Sequence, residues 1–222
     1  NTLLRKMTDF VAASCVGLAQ IGVGHPFDTS LTLIQNSRKW WGLPIKSYYR
    51  GWKFPMTSSI VFNATVFPVV ERTQQYTGSV FLSGLLAGVC VAPFMYCFEY
   101  GKIRKQTQQP VTINGLLNNS GRIAMLSREM VAMSSYFGMY NYMRDNNYHV
   151  LLSGGMAGLA NWTLTYPIEV VKNRQLAQNI SIRQALSQRN IWKGYPICAT
   201  RAVLVNAANF WTYETVKNLL EN

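Results

Sequence analysis

Arg128, Glu129 and Arg201 are charged residues set in stretches otherwise almost free of charge, and three acids, Asp28, Glu99 and Glu169, recur at the ends of similar stretches. An arginine deep inside an apolar helix is costly unless it faces water or a partner, so its presence there points first to a binding or transport role. Arg128 and Arg201 are suited to hold a carboxylate in charge-assisted hydrogen bonds, and Glu129 to hold an amine. The plainer alternative is a structural ion pair between Glu129 and either arginine. Glu99 is followed three residues later by Lys102 and Glu169 by Lys172, whereas Asp28 is followed by Leu31. That spacing puts acid and base near one helix face. Three such faces around an axis can pair acid to base between neighbouring helices and close one mouth of a central cavity.

These residues lie on an internal repeat, which decides the architecture. Ala13-x-x-x-Gly17, Gly84-x-x-x-Gly88 and Gly154-x-x-x-Gly158 each precede an acid, Asp28, Glu99 or Glu169, by the same interval. Small residues four apart let two helix backbones approach closely within a membrane. Gly51, Gly121 and Gly194 then precede Ser58, Arg128 and Arg201, and these precede Glu71, Asn141 and Glu214, again at fixed spacing. The expected organisation is three repeats, 1–76, 77–146 and 147–222, forming one transport domain. In each, one helix ends near residue 36, 107 or 178 and a second begins near the glycine at 51, 121 or 194. Only about two turns of helix fit in each connection, within 43–49, 112–118 and 181–188. Pro26, Pro93 and Pro167 fall inside the first helix of each repeat, where proline removes a backbone hydrogen bond and bends the helix.

Composition fits a bundle with a wet interior. The 222 residues are 49% hydrophobic and carry a formal charge of +12, with a mean hydropathy close to zero. Several weakly charged stretches approach the roughly 20 residues needed to cross a bilayer, among them 7–34, 80–98 and 150–166. The apolar N-terminal stretch reads as a spanning helix and not as a cleaved leader. Lys and Arg gather at segment ends and do not form one continuous face, which argues against a nucleic-acid binder. Four dispersed cysteines and two distant histidines suggest no metal site, and no catalytic triad or phosphate-cradling glycine loop is present. The chain is therefore expected to be no enzyme and to need no cofactor.

The third copy reads Pro167-Ile-Glu169-Val-Val-Lys172-Asn-Arg174, the first Pro26-Phe-Asp28-Thr-Ser-Leu31, and the second keeps Glu99-x-x-Lys102-x-Arg104 with its proline at Pro93. Three such motifs in register resemble the signature of the mitochondrial carrier family across essentially the whole chain. That resemblance implies an all-α membrane protein with six transmembrane helices, arranged as three pseudo-symmetric two-helix repeats around a central cavity. It implies a monomeric exchanger working by alternating access in the mitochondrial inner membrane, with both termini on the intermembrane-space side and lipid contacts such as cardiolipin. By family connectivity Lys102 pairs with Glu169 and Lys172 with Asp28 in a matrix-side gate, leaving Leu31 unable to pair with Glu99. Gln35 and Gln106 match the family's brace beneath these bridges, while Leu176 replaces the third. A cytoplasmic-side gate is expected from Glu71, Gln74, Asn141, Arg144, Glu214 and Lys217, with Arg144 facing Glu214 and Lys217 facing Glu71.

Between the gates, Ser58, Arg128 and Arg201 occupy equivalent positions near mid-membrane, and Arg128-Glu129 resembles the branch that carries amino acids, carnitine and related zwitterions. Carriers of basic amino acids are expected to place an acid where Ser58 stands. Two alternatives stay open. A nucleotide or deoxynucleotide exchanger fits the excess of positive charge, and the trimmed, asparagine-rich connections resemble a compact, giant-virus-encoded member of the family. A carrier-shaped membrane scaffold that no longer transports fits the incomplete gates.

Overall fold

The computed structural model describes residues 2–188 and 190–221. Those residues form an all-helical chain without strands. The elements are α1 (Thr2–Gln35), α2 (Ile45–Tyr48), α3 (Lys53–Thr77), α4 (Val80–Gln106), α5 (Ile113–Leu117), α6 (Arg122–Asp145), α7 (Val150–Gln178), α8 (Ile182–Ser187) and α9 (Tyr195–Glu221). A long helix, a short one and a second long one thus recur three times. The first long helices end at Gln35, Gln106 and Gln178, and the second ones begin at Lys53, Arg122 and Tyr195, each within two residues of the sequence expectation.

Local chemistry sets these boundaries. Ser79 caps α4 by accepting from the Leu82 amide, Thr112 caps α5 in the same way, and Ser181 with Gln184 closes a capping box on α8. Each satisfies amides that the first helical turn leaves without partners. Gly51 and Gly194 turn the chain into α3 and α9 with φ of 82° and 93°, a left-handed conformation that a β-carbon disfavours. Buried Arg174 donates to the carbonyls of Gln35, Ala185, Gln188 and Asn190. It thereby ties the end of α1 to the connection around α8.

The broad helix contacts run from α3 to α4, α4 to α6 and α6 to α7, and from α9 to α1. The proline-bearing helices α1, α4 and α7 meet one another over a shorter length. Pro26, Pro93 and Pro167 lie inside them, and α3 contains a further proline, Pro68. Among the described residues, α4 alone is both long and apolar enough by composition to cross a membrane unaided. Ile60, Phe67, Phe81, Phe94, Leu159, Leu164, Val203 and Trp211 are exposed nevertheless, an apolar exterior that water would not tolerate on this scale.

The small-residue motifs are not used equally. A β-carbon on Gly84 would lie 2.7 Å from the Met133 carbonyl oxygen, and one on Gly88 would lie 2.6 Å from that of Glu129. The backbones of α4 and α6 therefore touch there. Around Gly17, Gly154 and Gly158 nothing lies within 4 Å of such a carbon, which corrects the expectation that all three motifs seat a partner helix. The reason is packing order, since α1 meets α3 only narrowly whereas α4 and α6 lie side by side. Gly88→Ala is accordingly expected to cost about 2–3 kcal/mol, because a backbone atom cannot swing away, while Gly158→Ala changes little. Thermal unfolding of the two variants in detergent checks this difference.

Candidate functional site

Where α1, α4 and α7 converge, Asp28, Glu99 and Glu169 face one another, joined by Lys102 and Lys172 and flanked by Arg128 and Glu129 from α6 and Arg201 from α9. Lys172, 2% exposed, places Nζ 3.0 Å from Glu99 Oε2 and 2.9 Å from Glu169 Oε1. Lys102 Nζ lies 3.5 Å from Asp28 Oδ2 and 3.4 Å from Glu99 Oε1. The direction of pairing is thus the reverse of the one expected from the sequence, with Lys102 reaching Asp28 across helices and Lys172 reaching Glu99. An offset of three residues fixes that acid and base share a face. Which neighbour the base leans toward depends on the order of helices around the axis, and spacing does not carry that. Continuing the same rotation, position 31 would face Glu169 and not Glu99.

The two arginines do not form a layer apart from these acids. Arg201 donates through Nη2 to Asp28 Oδ2 at 3.5 Å, and its Nε sits 2.5 Å from Oδ1. Arg128 Nε lies 3.1 Å from Glu169 Oε2, and its Nη1 donates to Glu129 Oε1 at 2.7 Å. Neither Nε–H makes an aligned hydrogen bond, so these two contacts are Coulombic more than directional. Reorienting either guanidinium toward a new acceptor forfeits no aligned Nε–H hydrogen bond, only the Coulombic attraction to its acid. The Arg128–Glu129 pair anticipated as the plainer alternative is present, but Arg128 simultaneously serves Glu169. Glu129 is fully buried, and its Oε2 has no hydrogen-bond partner among the described residues. Four acids and four bases share this one cluster.

Gln106 accepts from Thr32 and donates to Thr29, bracing α4 on α1 below the Lys102–Asp28 bridge. Gln35 accepts from Asn173 Nδ2 at 2.5 Å and reaches the Tyr166 hydroxyl at 3.4 Å, bracing α1 on α7. In the third repeat Leu176 is core, packed with Tyr96, Tyr100 and Met125, and Gln175 bonds to Ser120 and the Ile180 carbonyl. Thr29, Thr32 and Asn173 carry no sequence signal that would single them out. Gly24 packs beside them: a β-carbon there would lie 3.1 Å from Val205 Cγ2, so its lack of a side chain lets α9 sit close to α1.

Above the cluster opens a cavity of about 620 Å³ lined by Gln20, His25, Asp28, Ser58, Asn63 and Arg201, within the size range of small-molecule sites. A smaller space of about 150 Å³ lies among the charges, reached by Arg128, Glu129, Trp162 and Lys172. Ser58 is buried and gives its hydroxyl to the Pro55 carbonyl. At the far end of the bundle Glu71, Gln74 and Arg144 are exposed and Asn141 is half-buried. Arg144 there donates to the Tyr148 carbonyl. The side chains of Glu214 and Lys217 lie outside the described residues.

A family profile described as mitochondrial carrier protein matches residues 143–222. The chain is 30% identical over 274 aligned positions to the mitochondrial arginine transporter BAC2 of Arabidopsis thaliana, covering 96% of this chain and 92% of that protein. It is 28% identical to the mitochondrial basic amino acids transporter of Bos taurus, covering 94% and 90%, and 24% identical to solute carrier family 25 member 45 of Mus musculus, covering 95% and 98%. An alignment of 274 positions against 222 residues means that the Arabidopsis protein has segments this chain lacks.

Proposed function

This chain belongs to the mitochondrial carrier family, in its amino-acid-like branch, and from that premise we propose that it exchanges an amino acid across the mitochondrial inner membrane by alternating access. Six spans in three repeats, 1–76, 77–146 and 147–222, surround the cavity, with both termini on the intermembrane-space side and the protein acting as a monomer. Arg128 and Arg201 hold the substrate carboxylate and Glu129 its amine. Asp28, Glu99, Lys102, Glu169 and Lys172, braced by Gln35 and Gln106, form the matrix-side gate, closed in this conformation. Glu71, Gln74, Asn141, Arg144, Glu214 and Lys217 form the gate at the opposite mouth. A gate of this kind must be strong enough to form and weak enough to break in each cycle.

The observation that carries this reading is the balanced cluster of four carboxylates and four bases at the floor of the cavity. An amino acid brings one carboxylate and one amine and leaves that balance unchanged. A nucleotide would bring several negative charges to a site whose bases already have partners, so the charge balance disfavours the nucleotide alternative. A scaffold gains nothing from buried ion pairs, which are rarely more stable than apolar packing. A second groove of about 630 Å³ at the start of α3, with Lys46, Arg50, Lys53 and Lys105 beside Trp52, suits the phosphates and chains of an anionic lipid such as cardiolipin.

Proteoliposomes loaded with arginine, a neutral amino acid, carnitine or ADP test the reading by counter-exchange. Uptake is expected when a neutral amino acid or carnitine is inside, since neither disturbs the charge balance; arginine, the solute in the relatives' names, adds one positive charge where Ser58 offers no acid and is the discriminating comparison. Uptake driven by ADP alone would replace this reading with the nucleotide one.

A further inference from the structure

Leu31 stands where Lys102 and Lys172 stand in the other repeats, three residues after the acid. It is buried against Tyr166, Val170 and Cys198, so no base from α1 enters the cluster. The two lysine bridges between helices run from Lys102 to Asp28 and from Lys172 to Glu99, and the same rotation would give Glu169 to a base at 31. Glu169 is nevertheless served by two cations, Lys172 of its own helix and Arg128, whose Nε lies 3.1 Å from Oε2. Glu99 has no such arginine beside it, because Ser58 is the equivalent of Arg128 in the first repeat, and it draws on both lysines instead.

We propose that Arg128 replaces the base missing at position 31, acting as the third counter-charge of the matrix-side gate as well as the anchor of the substrate carboxylate. The inference rests on the transport reading above. It deepens that reading by tying substrate occupancy to the charge balance of the gate, since one guanidinium serves both. A carboxylate that draws the Arg128 guanidinium toward itself withdraws it from Glu169 and leaves that acid to Lys172 alone, while α1 stays joined to α7 only by Leu31 packing and by the hydrogen bonds of Asn173 and Arg174 to Gln35. With a lysine at 31 the two functions would separate, because Glu169 would keep a partner while Arg128 engaged the substrate.

Thermal unfolding in detergent without substrate, combined with uptake, tests this. Arg128→Gln is expected to lower Tm by on the order of 5 °C, the loss expected from breaking a partly buried pair. Adding Glu169→Gln should lower it by much less than that variant does alone, since the pair is already broken. Adding Leu31→Lys to Arg128→Gln should recover most of the lost Tm while uptake stays absent. Strictly additive losses for Arg128→Gln and Glu169→Gln would overturn the proposal. So would a folded Leu31→Lys, Arg128→Gln protein whose Tm is not recovered. If lysine at 31 prevents folding, the Arg128–Glu169 cycle decides alone. The Tm readout needs no substrate, so a failure of the amino-acid reading would show in uptake and leave this test intact.

Discussion

Arg201→Ala should abolish exchange, lowering the initial uptake rate about 100-fold or more, while the protein still folds and extracts as wild type does. Arg201 reaches from α9 to Asp28 and lines the large cavity. Its side chain is 17% exposed, so water reaches the space it would leave and Asp28 keeps Lys102 at 3.5 Å. The stability loss is therefore moderate, a fall in Tm on the order of 5 °C as for the equally exposed Arg128, and the protein still folds. The functional loss is large because truncating one partner of a desolvated, charge-assisted contact typically costs 2–5 kcal/mol, about 30-fold to several thousand-fold in binding. Arg201→Lys sharpens the test: it keeps the charge and discards the planar fork, so a residual rate near a tenth of wild type is expected. Initial rates in proteoliposomes beside thermal unfolding measure both effects. Wild-type uptake by Arg201→Ala would remove this residue from the binding site.

The periodicity of the chain made the helices legible but left their neighbours undetermined. Spacing alone placed the ends of the first long helices within a residue of Gln35, Gln106 and Gln178 and marked short helices in all three connections, because caps, glycines and apolar runs are local signals. The assembly of the charges is not local. Asp28, Glu99 and Glu169 are legible as a set, yet Lys102 and Lys172 lean the opposite way from the pairing that the resemblance implied, and the repeat itself offers no check, since handedness around an axis leaves no trace in it. The arginines were expected in a separate layer, whereas Arg128 and Arg201 touch Glu169 and Asp28 directly. Only a three-dimensional arrangement reveals that Leu31 and Arg128 belong to one question. The same limit applies to glycine: the small-residue pairs look alike in sequence, and among the described glycines of these pairs only Gly84 and Gly88 bring backbones into contact.

Lys172→Met should be the most destabilising change at the gate, with a loss of about 3–5 kcal/mol, seen as a fall in Tm on the order of 10 °C. Lys172 is 2% exposed and holds Glu99 and Glu169 at once, so its removal leaves Glu99 to Lys102 and Glu169 to Arg128 alone, with the buried cluster one cation short. Salt screens buried charges poorly, and raising the ionic strength should not recover the loss. Lys102→Met is expected to cost less, because that ammonium is 15% exposed and its two contacts are longer, 3.5 and 3.4 Å. Adding Glu99→Gln to Lys172→Met should restore part of the lost stability by returning the cluster to charge balance, while exchange stays impaired because Lys172 no longer joins α7 to α4. The order of the two single variants is what the geometry commits to. A larger loss of Tm for Lys102→Met than for Lys172→Met would show that the deeper lysine is not the one on which closure rests.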